Sequence, residues 1–283
     1  MENVTKASLT LPENPERNVL LADLQTIHNK IDTDIEEALL AVLRSGRYVL
    51  GPEVEKFESW MARYCGVKHA VGCASGTDAL LLALMACGVG PGDEVVTTPF
   101  TFFSTASVIA RLGARPVFCD IGAGTFHLCP AQLRETLNHH PSVKAVIAVG
   151  LFGACPDIDS LRAAVAPEVK LIEDAAQTLG ATYKGRPSGS LGDVSCVSFF
   201  PTKNLGACGD AGMVLTDSRK TADLIRSLRV HGSSEQYIHT HIGINSRLDA
   251  IQAAILSVKA RFLDGWNEAR RCNAQMYTRI TTM

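Results

Sequence analysis

Four short segments of the 283-residue chain carry residue types suited to chemistry, and each follows an apolar run. Ser75-Gly76-Thr77-Asp78 follows the run 69–73 and opens a helical pattern containing Leu80, Leu81 and Leu84. Free backbone N–H groups, a hydroxyl and the positive end of a helix would make a phosphate site there, with N-capping by Ser75 as the alternative use. Pro99-Phe100-Thr101-Phe102-Phe103-Ser104 sets three aromatic rings just past the run 94–98. One ring there could stack on a planar ligand, or all three could be core. Glu173-Asp174-Ala175-Ala176-Gln177 closes an apolar run with an acidic pair that has no evident cationic partner. A carboxylate left buried and unpaired is costly, so the pair points to a ligand or, for Asp174, to a helix N-cap. Ser198-Phe199-Phe200-Pro201-Thr202-Lys203-Asn204 puts a lysine in a loop past the run 194–200, where a lone lysine is usually solvated.

A phosphate cradle, an aromatic plate, a carboxylate and a lysine at one sheet edge match what pyridoxal phosphate requires. The lysine amine forms a Schiff base with the aldehyde, and a carboxylate keeps the pyridine nitrogen protonated so that the ring withdraws electrons. Each segment alone is a weak signal; the ordered set is a strong one.

The elements that must position these segments can be read from periodicity. Runs at 69–73, 94–98, 115–119, 143–149 and 169–173 predict strands, with helical patterns between them. They are near-continuously apolar, as strands are when helices cover both faces of a parallel sheet. Runs at 194–200 and 211–216 extend the sheet to about seven strands, and helical periodicity returns at 218–230 and 247–262. The expected fold class is α/β, a mostly parallel sheet with its ligand site beyond the carboxyl ends of the strands. Upstream, Ile31, Ile35, Leu39 and Val42 predict a helix with a Thr33/Glu36 capping box and a stop at Gly46. A second helix is expected from Pro52 through Val54, Phe57, Met61 and Tyr64. Residues 1–30, with Pro12 and Pro15, read as an extended arm.

Composition excludes several classes. With 27 Lys+Arg against 29 Asp+Glu, both interspersed, no footprint for nucleic acid or anionic lipid is present. The longest uncharged apolar run, Ala79 to Gly90, falls short of the ~20 residues that cross a bilayer, and the N-terminus lacks the apolar core of a secretory signal. A cytoplasmic chain is therefore expected. The nine cysteines form no CxxC pair, which favours reduced thiols over a disulfide framework or a structural zinc, and no metal is expected.

The sequence resembles the DegT/StrS nucleotide-sugar aminotransferases of the fold-type-I pyridoxal-phosphate superfamily, from about Ile31 to Tyr277. The resemblance is carried by Gly51-Pro52-Glu53-Val54-Glu55, Ser75-Gly76-Thr77-Asp78-Ala79-Leu80 and Pro91-Gly92-Asp93-Glu94-Val95. Glu173-Asp174-Ala175-Ala176-Gln177, the Ser198–Asn204 loop and Gly243-Ile244-Asn245-Ser246-Arg247-Leu248-Asp249 complete it. It implies that Lys203 holds the cofactor, Asp174 pairs with the pyridine nitrogen, Gln177 approaches the ring hydroxyl and Phe102 stacks on the ring. Gly76, Thr77 and Ser198 would hold the phosphate, joined by Asn245 reaching over from a second subunit of a homodimer.

The implied reaction moves an amino group, with L-glutamate as donor, to the keto carbon of a nucleotide-activated sugar in amino-sugar or polysaccharide biosynthesis. It would run by a ping-pong route through pyridoxamine phosphate, with the freed Lys203 amine shuttling the proton. Lys203 also argues against the family's dehydratase branch, in which histidine replaces the lysine. Arg247 is a candidate for an anionic sugar substituent, its guanidinium being able to pair bidentately with a carboxylate, or else for a salt bridge at an interface or helix start. His231 could touch the site, although a structural turn role fits it better.

Two departures from the family pattern stand out. A His-Leu-Tyr-Gly run is replaced by Gly150-Leu151-Phe152-Gly153. The family pattern also continues into a C-terminal small domain, of which only the first helix is expected here, so the implied division is an N-terminal arm and helix over 1–50, a cofactor-binding large domain over 51–262, and the start of a truncated small domain over 263–283. The resemblance therefore also admits a rival, a homologue that binds cofactor or plays a structural role without turnover.

Overall fold

The computed structural model describes residue 20 and residues 22–281. The seven expected strands form one sheet: β1 (His69–Cys73), β2 (Glu94–Thr97), β3 (Arg115–Phe118), β4 (Val143–Val149) and β5 (Lys170–Asp174), followed after a two-residue hairpin pair β6 (Thr182–Tyr183) and β7 (Arg186–Pro187) by β8 (Val194–Ser198) and β9 (Gly212–Thr216). A small hairpin, β10 (Ser233–Glu235) and β11 (Ile238–His239), lies outside it. The sheet order is β1-β9-β8-β5-β4-β2-β3. All pairings are parallel except those of β9, which runs against both β1 and β8.

Side chains alternate between the two faces of a strand, so each face collects its own core. In β4, Ala145, Ile147 and Val149 pack with Leu80–Leu84 of helix Gly76–Ala86, while Val146 and Ala148 pack with Leu133 and Leu161 on the opposite side. Helix Gly76–Ala86 is buried along its length from Ala79 to Leu84, as expected of the uncharged run beginning at Ala79. Helices Pro52–Cys65 and Ala250–Ala260 cover the other face at the β9 side, with Phe57, Met61 and Leu256 fully buried against Met213 and Leu215.

Several local expectations change. The helix expected from Ile31 spans Asp32–Ser45 and ends at Gly46 in the left-handed region (φ 66°). It has no Thr33/Glu36 capping box: Ile31 is the N-cap, Thr33 lies inside the first turn, and the Asp32 carboxylate one residue earlier accepts from Thr33 N at 2.8 Å. Within the expected arm, Leu24–His28 form a short helix whose first turn donates to the Asp23 side chain, and residues 1–19 lie outside the described residues. The run expected over 194–200 ends as a strand at Ser198, because Phe199 and Phe200 turn away into the loop that carries Lys203. Helix Ala250–Ala260 is followed directly by helix Leu263–Thr281.

Candidate active site

The carboxyl ends of β1, β2, β4, β5 and β8 open on one cavity of about 700 Å³. Seven of the residues singled out from sequence line it: Gly76, Thr77, Phe102, Asp174, Gln177, Ser198 and Lys203. The alternation rule explains part of this convergence. Ile172 and Cys196 face the helix Gly76–Ala86 side, so Asp174 and Ser198, two residues further along their strands, face the same side and reach the strand ends there.

The first turn is built by close approach. The Ser75 hydroxyl accepts from Asp78 N at 3.1 Å, so Ser75 caps the helix while the turn still lines the cavity. Behind it, a Cβ on Gly212 would fall 2.2 Å from the Ser75 carbonyl oxygen, and a Cβ on Gly76 would fall 2.6 Å from Ser198 Cβ. Only glycine at both positions lets β9, the turn and the end of β8 close together. Thr77 at the helix start and Ser198 at the strand end thus face one small space next to free N–H groups.

Glu173 and Asp174 lie on opposite faces of β5. Glu173 is fully buried, and its carboxylate accepts from Ser188 Oγ, Gly189 N, Leu191 N and Ser195 Oγ at 2.7–3.1 Å. Neutral donors satisfy it without a cation. Asp174, also buried, has two donors at longer range, Thr105 Oγ1 and Ala176 N, each at 3.2 Å. Residues 176–180 form turns and no helix, so Asp174 is not a helix cap. Burial pushes its carboxyl above the usual range, against the lowering influence of its hydrogen bonds and of Lys203.

Lys203 is half-buried at the cavity wall, its backbone N–H closing a turn onto Phe200 O at 2.8 Å. Burial draws its amine below the ordinary lysine range, and the Asp174 charge acts the other way. Phe102 borders the same space and is 74% exposed, so its ring is free to lie against a ligand. An anion at the turn, a flat ring beside Phe102 and a cationic nitrogen at Asp174 would all be accommodated here.

Asn245 and Arg247 do not line this cavity; Asn245 is exposed, bridged by backbone to Val230. His231 is also outside it, in a turn with φ 64° whose N–H donates to Ile244 O at 3.0 Å. Gly150 is buried in the wall, and a Cβ there would fall 2.5 Å from Thr178 Cγ2. Thr178 fills that volume and bonds Ser188 Oγ at 2.6 Å, extending the network around Glu173.

Sequence reasoning missed Thr105, the hydroxyl on Asp174, which reads only as a polar residue in the first turn of an amphipathic helix. It also missed Ser246, whose hydroxyl accepts from Ala74 N at 3.1 Å and donates to Asp78 at 2.8 Å, tying the Asn245 loop to the Ser75–Asp78 turn.

The family model described as the DegT/DnrJ/EryC1/StrS aminotransferase family matches residues 29–281. The chain belongs to this family. A Geobacillus stearothermophilus relative named "Pleiotropic regulatory protein" is 49% identical over 93% of this chain and 70% of its own length. The UDP-2-acetamido-2-deoxy-3-oxo-D-glucuronate aminotransferase of Pseudomonas aeruginosa is 44% identical over 86% of this chain and 67% of its own. Among solved structures, the Bacillus subtilis ntda with bound cofactor PMP superposes with a TM-score of 0.81 at 31% identity, over 88% of this chain and 58% of that one. This DegT/DnrJ/EryC1/StrS member is an aminotransferase by family, with the mostly parallel seven-stranded sheet of that class.

Proposed function

We propose that the chain is a pyridoxal-phosphate-dependent aminotransferase that transfers an amino group, with L-glutamate as donor, to the keto carbon of a nucleotide-activated sugar. The observation that carries this reading is the convergence of Lys203, Asp174, Gln177 and the Gly76–Thr77 turn on one cavity at the carboxyl ends of the sheet. The nucleotide-sugar relative and the PMP-bound neighbour support it from outside.

The residues fit the cofactor on three counts. The turn closes so tightly that a Cβ at Gly76 would strike Ser198, which brings Thr77, Ser198 and the helix N–H groups to one end of the cavity, where an anion would be held. Asp174 is a buried carboxylate short of donors, which a protonated pyridine nitrogen would complete. Lys203 is an amine of lowered pKa with no hydrogen bond among the described residues. When bound, pyridoxal phosphate supplies an aldehyde carbon that exchanges amino groups and a ring that withdraws electrons from it.

In this reading Gly76, Thr77 and Ser198 would hold the phosphate, Phe102 would pack on the ring and Gln177 would bond the ring hydroxyl. Asp174 would keep a proton on the ring nitrogen through its carboxylate oxygens. Lys203 would hold the cofactor at Nζ, and the same amine would take up and return a proton at that atom. Its lowered pKa favours the neutral amine that both roles need.

The site is completed in a homodimer by the partner subunit's Asn245 at the phosphate; the exposure of Asn245 and its absence from its own cavity support that assignment. Arg247 lies outside this cavity and makes no ion pair among the described residues, which leaves its guanidinium a candidate for an anionic substituent of the sugar. Among the described residues no helix is long and apolar enough to cross a membrane. The nine unpaired cysteines support the reducing cytoplasm as the compartment.

The test is an absorbance spectrum of the purified protein with pyridoxal phosphate, followed by L-glutamate. A visible cofactor band that bleaches on glutamate addition supports the reading; no band, or a band indifferent to amino donors, overturns it.

A further inference from the structure

Two buried polar side chains that the proposed chemistry does not use lie under the loop carrying Lys203. Lys259, 3% exposed on helix Ala250–Ala260, donates from Nζ to the Gly206 carbonyl at 2.7 Å. Asn267, 6% exposed on helix Leu263–Thr281, accepts from Asn204 Nδ2 at 2.8 Å and donates from its own Nδ2 to the Leu179 carbonyl at 3.1 Å. Asn204 follows Lys203 directly, Gly206 lies three residues beyond it, and Leu179 lies two residues beyond Gln177.

The loop itself doubles back. Ala207 N donates to Phe199 O at 2.8 Å, and a Cβ on Gly206 would fall 2.2 Å from the Pro201 carbonyl oxygen. Lys203 therefore sits at the crest of a closed loop whose returning limb is gripped at Asn204 and at Gly206. The fit extends to the second loop: a Cβ on Gly180 would fall 2.2 Å from Asn267 Nδ2, so that backbone lies against the amide.

A buried ammonium facing a single carbonyl is a costly way to fill space. Hydrophobic residues of similar volume often replace buried charged groups at no loss of stability. What a methionine would not supply is a directional bond to one carbonyl, and what a leucine at 267 would not supply is a bridge between two loops.

We propose that Lys259 and Asn267 are positioning residues for the Lys203 amine, clamping the returning limb of its loop and, through Leu179, holding that loop in register with the segment that carries Asp174 and Gln177. The inference rests on the reading of Lys203 as the lysine that bears the cofactor.

The experiment uses the full chain loaded with pyridoxal phosphate, comparing wild type with Lys259→Met, Lys259→Arg and Asn267→Leu. Each is measured below its own melting temperature. The readouts are the induced circular dichroism of the visible cofactor band and the rate at which that band bleaches with L-glutamate. Displacement of the amine is expected to abolish most of the induced dichroism in Lys259→Met and Asn267→Leu. It is also expected to slow bleaching about a hundredfold, the scale of a misplacement of about 1 Å. Lys259→Arg, which restores a donor, should recover part of both signals.

A purely structural role predicts lower melting temperatures with unchanged dichroism and bleaching rate in the folded variants, and that result would overturn the proposal while leaving the role of Lys203 intact. If the buried variants do not fold, Asn204→Ala cuts the same bridge from the loop side, and unchanged signals there overturn the bridge. Failure of the wild type itself to take the cofactor on Lys203 instead overturns the functional reading, and the proposal with it.

Discussion

Glu173 and Asp174 are adjacent in β5, both buried, and differ in how their charge is met: Glu173 faces four neutral donors, whereas Asp174 faces two, each at 3.2 Å, and the open cavity. The strand's two-residue period separates them. One carboxylate is completed by the fold itself, and the other is left for a ligand to complete.

For Asp174 the sign of the pH effect follows from burial. Its carboxyl is raised in the folded chain, so the folded state keeps that proton to higher pH than the unfolded chain does, and stability falls as pH rises from the usual carboxylate range, about pH 4, through the raised value. Asp174→Asn removes this term. Thermal melts of the cofactor-free protein should show the variant gaining on wild type as pH rises through that window; a constant difference would contradict the burial account.

The same variant separates binding from chemistry. Asp174→Asn is expected to keep bound cofactor and lose most transamination, because a neutral amide does not hold the pyridinium proton. Near-normal single-turnover rates with glutamate would count against the assignment.

Glu173→Ala should act on folding instead. It orphans four buried donors, so denaturant unfolding is expected to show a loss of at least the roughly 1–3 kcal/mol attached to one unsatisfied buried group. A variant as stable as wild type would mean that water reaches those donors.

The sequence displayed the seven strands because each is a short, almost uninterrupted apolar run, and a parallel sheet buried on both faces demands that pattern. It also displayed the cavity, since Asp174 closes such a run at its strand end and Lys203 stands in the loop that leaves the next one. It hid what depends on distant pairing. Nothing near Thr105 announces a carboxylate 69 positions on, and nothing near Lys259 announces Gly206. The Thr33/Glu36 pattern misled because a capping box is only a spacing: the helix begins at Asp32, one residue before Thr33, so Thr33 lies inside its first turn.

Gly150 and Thr178 are expected to behave as a coupled pair. Gly150→Ala drives a methyl toward Thr178 Cγ2 and should cost about 1–3 kcal/mol, the usual penalty of overpacking. Thr178→Ser removes that methyl and keeps the hydroxyl bonded to Ser188. In a double-mutant cycle the second change should recover much of the first; simple additivity would show that the wall relaxes by another route.

Assembly carries its own test. Sedimentation should find a homodimer, and Asn245→Ala should weaken cofactor binding while leaving the melting of the cofactor-free protein close to that of wild type. A monomer that binds the cofactor tightly would remove the shared site.

The central claim is that Lys203 bears the cofactor, and borohydride reduction of the loaded protein followed by peptide mapping tests it most directly. The account predicts a pyridoxyl label on Lys203 and no visible cofactor band in Lys203→Ala. A label on Lys184 or Lys220, with the band retained in Lys203→Ala, would contradict it.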